Sequence, residues 1–429
     1  MEVIKLVPFR WPAAWSDPKL VSLLEGGPVN CLVVNGGPAV VVEAARKAGL
    51  TVLEWNSLGA APLAKVNWNA AAERLTIADL VWPRAKPVVR GDRAVSGPTG
   101  GPWIDSNAWV ARLAADRAPG KRIWLAFDPP KEEQPPNEAA YKAAVADAAA
   151  VGAWWILSLD EKLSQALAAG NAEAAKTWRG ILGTVAFFET HSAWRGYVHQ
   201  GPLAIVSTFA GDNEFLGTEL LNLAARGNLQ YRIVDRLRVA SENLTGLRAA
   251  LWVDSDPPSA DVVAKLEGFA RGGGLLIVPR TAAHLFKGEG ALACPVTGYE
   301  LRTFGKGTVA AATRDWDDPY SLAADAHDLV SRHYDPIRMF NGSSYRTHYS
   351  VAPGGNDKLI QLISFAGASR FPGMGRSSEV TVRFPDRHSS VTFHRLDAAP
   401  ETLRPVKDGD HIEYQLPQFA AYAALEVKA

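Results

Sequence analysis

LWVDSDPPSADVVAKLEGFARGGGLLIVP, Leu251 to Pro279, is the stretch on which the fold reading turns. Ala249–Asp254 is an apolar run of strand length. Ala260–Arg271 has helical spacing, with Ser259 placed as its N-cap. Gly272-Gly273-Gly274 stops that helix, and Leu275–Pro279 is a second apolar run. Strands apolar on both faces and joined by a helix belong to a buried parallel sheet. The three glycines precede a strand, whereas a phosphate loop would follow a strand and open a helix.

Upstream, Leu203–Thr208 reads as a strand, Asn213–Arg226 as a helix and Tyr231–Asp235 as a strand, which completes a doubly wound open sheet over residues 201–335. In the first 200 residues, strand-like runs Ile4–Phe9, Cys31–Asn35, Thr51–Trp55, Leu80–Trp82, Pro87–Arg90, Arg122–Phe127 and Trp154–Leu159 alternate with helical stretches Asp17–Glu25, Pro38–Ala48, Asn107–Arg117 and Asn137–Val151. Seven or eight such units close a (β/α) barrel. A helical region, Asn171–Trp194, follows. Beyond Asp335, Lys358–Ser364, Glu379–Phe384, Val391–Leu396, His411–Gln415 and Ala421–Val427 alternate between Gly and Pro turns, the pattern of a small antiparallel sandwich over 336–429. The expected fold class is α/β: a compact TIM-like barrel, a flavodoxin-like α/β domain and a C-terminal antiparallel β-sandwich.

Composition narrows function. With 429 residues the chain is expected to hold two or three domains. Its 45 basic and 45 acidic residues cancel, which leaves no electrostatic footprint for nucleic acid or an anionic membrane. No apolar run reaches the roughly 18–20 residues of a membrane span. Met1–Phe9 lacks the basic segment and apolar core of a secretory leader, so the compartment is cytoplasmic, or secreted or periplasmic if a leader was removed. Two cysteines, Cys31 and Cys294, without CxxC spacing exclude a disulfide framework and a cysteine zinc site. Fourteen tryptophans serve either as core filler or as stacking platforms for sugar rings.

The Leu251–Pro279 stretch, in the order barrel, α/β domain and small β domain, resembles the beta-galactosidases that carry a trimerisation domain, and the closing DGDHIEYQLPQFAAYAALEV is similar to the closing β domain of many sugar hydrolases. In that family the middle domain is similar to a class I glutamine amidotransferase lacking its catalytic cysteine. Here Arg280–His284 follows the last strand, again without a cysteine nucleophile. The resemblance implies a carbohydrate substrate, acid/base catalysis by carboxylates without a cofactor or metal, and self-association as a dimer or trimer. The family sets its acid/base Glu in an Asn-Glu pair after the fourth barrel strand. The Asn-Glu pairs here, Asn137-Glu138 and Asn213-Glu214, fall at a helix start and in the α/β region.

Reactive groups of parallel barrels sit past the carboxyl ends of strands. That rule selects Asp128, Asp160 and Glu54 as catalytic candidates, Asp160 as nucleophile or base and Asp128 or Glu54 as acid, because glycoside hydrolysis needs two carboxyl groups flanking the scissile bond. Trp11, Asn35, Trp55, Asn56, Arg90, Trp103, Asp105, Asn107 and Glu161, with Arg10, offer indole faces and hydrogen-bonding groups for a sugar. Asp128 equally suits a turn before Pro129, Asp160 and Asp105 equally suit helix caps, and Glu54 equally suits a buried ion pair with Arg84 or Arg90. Glu189 and His191, two apart on a helix, face differently and make a poor metal site.

Overall fold

The computed structural model describes residues 5–86, 88–90, 93–95, 103–131, 135–341, 345–368, 380–386 and 388–428. The architecture is mixed α/β, with several sheets and the helices that cover them. Among the described residues no helix is long and apolar enough to cross a membrane.

Pro8–Arg10, Cys31–Val34 and Thr51–Glu54 pair in parallel, Pro8 opposite Cys31 and Cys31 opposite Thr51. A second parallel run sets Trp154–Trp155, Arg122–Leu125, Arg74–Ala78 and Ala61–Pro62 side by side. A parallel bridge between Phe9 and Leu157 joins the two runs, and the Arg10 N–H donates to the Leu157 carbonyl at 2.7 Å. Among the described residues no pairing joins Thr51–Glu54 to Ala61–Pro62.

The Glu138–Ala149 helix packs against these strands with ten of its twelve residues buried. Its run of alanines permits that. Small side chains let strands and neighbouring helices approach on every side, and the helix has no polar face to keep in water.

Three details depart from the expected elements. The strand near residue 80 is Arg74–Ala78, and Leu80–Trp82 is irregular, because Asp79 adopts a left-handed φ of 54° that ends the extended run. Val88–Arg90 pairs with Arg93–Val95 in a local antiparallel pair, outside the parallel sheet; Pro87 lies outside the described residues. Asp17–Glu25 forms a 3-10 helix, Pro18–Leu24, which Asp17 caps by accepting the Lys19 N–H.

The second sheet runs Tyr231–Asp235, Leu203–Ser207, Ala249–Trp252, Leu275–Val278, Gly307–Ala312, all parallel, then Tyr299–Phe304 and Ala291–Leu292, antiparallel. Chain order reverses on either side of Leu203–Ser207. Glu214–Arg226 and Pro319–Val330 cover one face and Ala260–Arg271 the other. The glycine triplet explains itself here. Gly273 takes a φ of 122°, and a Cβ on Gly274 would collide with the Phe269 ring. Ser259 takes N-cap geometry without a side-chain hydrogen bond.

A six-stranded antiparallel sheet orders Val198–His199, Tyr345–Val351, Lys358–Ser364, Tyr422–Lys428, Ser390–Arg395 and Ala398–Thr402. One face meets a four-stranded sheet of Arg338–Phe340, Thr381–Phe384, Ile412–Gln415 and Lys407–Asp408 through a shared apolar core. On the other face Leu359, Ile363, Phe365, Tyr422 and Ala424 enter the core of the first region. Covered on both faces, Tyr345–Val351 turns Tyr345, Tyr349 and Val351 to the apolar core and also buries Arg346, Thr347, His348 and Ser350.

The second and third sheets also meet. The Gln230 amide donates to the Thr347 carbonyl at 3.1 Å and accepts the Tyr349 N–H at 3.2 Å. Asn228 Oδ1 accepts the Thr347 N–H, and the Gln200 N–H donates to the Tyr349 carbonyl. Two side-chain amides thus finish a strand edge that would otherwise be left open.

Candidate functional site

The carboxyl ends of the first parallel strands place Arg10, Glu54, Trp55 and Asp128 in one neighbourhood. Arg10, which closes its strand, donates to Asp128 Oδ1 at 2.7 Å, and its guanidinium lies 4.3 Å from the Trp55 ring centroid. The Asp128 side chain is 64% exposed. Glu54 is exposed at the end of Thr51–Glu54 and accepts the Gly36 N–H at 3.2 Å. Asn35 and Asn56 are exposed beside these groups in sequence, and Trp55 is half-buried. This edge combines a cation, two exposed carboxyls and an indole, groups that can hold a polyol and exchange protons with it.

Asp160 is built differently. It is buried at the start of the Glu161–Ala168 helix, where Oδ1 accepts the Leu163 N–H at 2.9 Å and Oδ2 accepts the Tyr141 hydroxyl at 2.8 Å. The Tyr141 hydroxyl also accepts the Asp160 N–H. Burial, followed by the Asp160 charge, pushes the Tyr141 phenol up, so it stays a neutral donor. Tyr141 escaped the sequence reading because it sits on the alanine-rich helix, where nothing distinguishes it from core. The helix's lack of a charged face was the available signal. Glu161 turns along its own helix to accept from Gln165.

Other candidates go elsewhere. Trp11 is buried, its indole N–H bonded to the Trp15 carbonyl and its ring edge-on to Trp15 at 5.0 Å, so it presents no face to a ligand. The Arg90 side chain lies outside the described residues. Trp103, Asp105 and Asn107 gather where the first region meets the second. The Arg226 guanidinium stacks on Trp103, while Asp105, nearly buried, pairs with Lys86, lies 3.9 Å from Arg84 and accepts the Trp103 indole. Asn107 bonds both backbone groups of Val81.

Beneath them Asp147 accepts the Ser106 hydroxyl and the Asn107 N–H. Burial pushes its carboxyl up to about 6, against the pull of those donors and of Arg346. Burial, with Arg226 adjacent, brings Arg346 down to about 9.

At the reversal point of the second sheet, fully buried Asp254 accepts the Ser207 hydroxyl at 2.5 Å, the Thr208 N–H and the Arg236 guanidinium at 2.9 Å. Ligands of open α/β sheets bind at such a crevice. Here it is filled by the chain's own groups.

Glu189 pairs with Arg195, and His191 bonds the Phe187 carbonyl and lies against Trp194. Among the described residues no group of three or more His, Cys, Asp or Glu side chains is arranged to hold a metal. Cys31 is a free, buried thiol pushed up to about 11 by burial.

No protein-family model matches the chain, and no curated protein matches it in sequence. Solved structures do. The fold is similar to that of alpha-L-fucosidase isoenzyme 2 from Paenibacillus thiaminolyticus, with a TM-score of 0.58 at 11% identity over 98% of each chain. It is also similar to beta-galactosidase from Bacillus circulans sp. alkalophilus, with a TM-score of 0.53 at 9% identity. There the match covers 90% of this chain and spans 66% of that one. The chain therefore shares its overall fold with these two glycoside hydrolases.

Proposed function

We propose that the protein acts on a glycosidic bond at the mouth formed by Arg10, Glu54, Trp55 and Asp128. The observation that carries this reading is the Arg10 bridge, which holds Asp128 and the Trp55 ring from one guanidinium at the carboxyl end of a parallel sheet. The likeness in fold to a fucosidase and a galactosidase supports the substrate class. In this reading Trp55 stacks on the sugar. Glu54 passes the proton to the leaving oxygen, and Asp128, beside a fixed cation, is the carboxylate that attacks or activates water. Asp160, with both oxygens engaged, positions the strand end through Tyr141. The division into a barrel-like part, an α/β part and an all-β part at about residues 200 and 335 belongs to the same reading.

Hydrolysis of a panel of nitrophenyl glycosides tests it. Glu54→Gln and Asp128→Asn are each expected to lower kcat/KM by about 10²-fold or more. Undiminished turnover in both variants sinks the assignment. The engagement of Asp160 favours one other reading, a sugar-binding protein without turnover. That reading predicts no hydrolysis by the parent, together with calorimetric sugar binding that Trp55→Ala removes.

A further inference from the structure

A cleft of about 320 Å³ opens between two sheet edges that face it without pairing. One edge is Val198–His199 and the other Tyr231–Asp235, and the Ala108–Arg117 helix forms the third wall. Its volume is that of a small-molecule site, and its residues are separate from those of the proposed mouth.

The charge in this cleft is out of balance. Arg112 donates to the Tyr231 carbonyl and lies 4.2 Å from the Tyr231 ring centroid. Arg232 donates to Gln200 Oε1 and to the carbonyls of Asn243 and Thr245. Each guanidinium is half-buried and bonded only to neutral acceptors, and among the described residues neither has a carboxylate partner. The Nε of Arg232 is buried without a hydrogen-bond partner.

The one carboxylate among the described residues of the lining, Asp116, accepts the Asp235 N–H at 3.2 Å and answers to Arg238 and Arg117 instead. His199 does not add a cation, since burial and then Arg112 push it well below its ordinary value. The same two causes, with Arg346, bring neighbouring His348 down to about 3. A cation taken from water without a counter-ion is costly, and an anion from solution repays that cost.

We propose that this cleft binds a small oxyanion between Arg112 and Arg232. The oxyanion is either a free inorganic ion or the charged group of an acidic sugar, and guanidinium forks suit both.

Calorimetric titration and thermal denaturation of the full chain, with chloride matching ionic strength, test the proposal. The probes are sodium sulfate, glucuronate and, as a neutral control, glucose. Saturable binding and a rising midpoint with sulfate mark a site for free anions. Saturation by glucuronate alone marks one for acidic sugars. Arg232→Gln is expected to weaken either by about tenfold or more. Val198→Glu, which sets a carboxylate on the exposed rim where folding is least disturbed, is expected to abolish it, and Arg280→Gln at an exposed arginine is expected to change nothing. Coincident curves for sulfate, glucuronate and chloride overturn the proposal. So does parental affinity in both Arg232→Gln and Val198→Glu.

Discussion

Two parallel sheets in this molecule end their strands in polar residues, and the two ends are finished differently. At the first, Asp128 and Glu54 stand in solvent, Asp128 tied by one guanidinium and Glu54 by one backbone N–H. At the second, Asp254 is sealed from water and bonded to a hydroxyl, an amide and an arginine. The position in the sheet is the same, but the spare bonding capacity is not. A carboxylate whose oxygens are all engaged holds loops together. One with oxygens to spare can take a ligand or a proton. This contrast separates carboxylates with bonding capacity to spare from structural ones, which strand-end position alone does not do.

The largest test of the contrast is stability. Asp254→Ala leaves the Ser207 hydroxyl and the Thr208 N–H without their buried acceptor, and takes from Arg236 the nearer of its two carboxylates; it is expected to cost about 3–5 kcal/mol in urea denaturation. Asp128→Ala, at a solvated pair, is expected to cost about 0–1 kcal/mol. Equal costs would break the comparison.

Asp147 sharpens it from another side, as a buried carboxylate whose arginine neighbour does not bond it directly. Its folded-state value, about 6, lies above the unfolded value near 3.8. The folded chain therefore holds the proton more tightly, so this group favours folding below about pH 4 and loses that contribution as pH rises through 6. Linkage sets the change at about 3 kcal/mol. Urea midpoints measured from pH 4 to 7 are expected to decline less in Asp147→Asn than in the parent.

A smaller effect than at Asp147 is expected at Tyr141→Phe, which removes both hydrogen bonds between the hydroxyl and Asp160 and should cost about 1–2 kcal/mol. A loss of kcat beyond what that destabilisation explains would return Asp160 to the chemistry.

The same contrast explains what could be read in advance. Residues whose surroundings are local were legible. The glycine triplet marked a helix stop, and Glu54 closes the strand Thr51–Glu54 at the position the strand-end rule gave it. Residues whose surroundings arrive from far along the chain were not. Trp11 follows a strand as a mouth residue would, yet its ring packs on Trp15. Trp103 and Asp105 sit in a loop that reads as a rim, yet Arg226, more than a hundred positions later, draws them to the junction between regions. Tyr345–Val351 alternates as a strand does, but its polar face, Arg346, His348 and Ser350, reads as solvent-facing and is buried by groups from elsewhere in the chain.

The Gln230 and Asn228 amides that finish the Tyr345–Val351 edge have a consequence for how this chain could be rearranged by recombination. A segment whose excision leaves its neighbours intact can be exchanged between genes as a cassette. Here, removing the central α/β segment would carry away the groups that close the adjoining ladder at Thr347 and Tyr349. The remainder would bear an unfinished strand, open to pairing with any passing chain. On the proposed division, the central segment and the β region beside it are expected to be inherited together rather than exchanged separately.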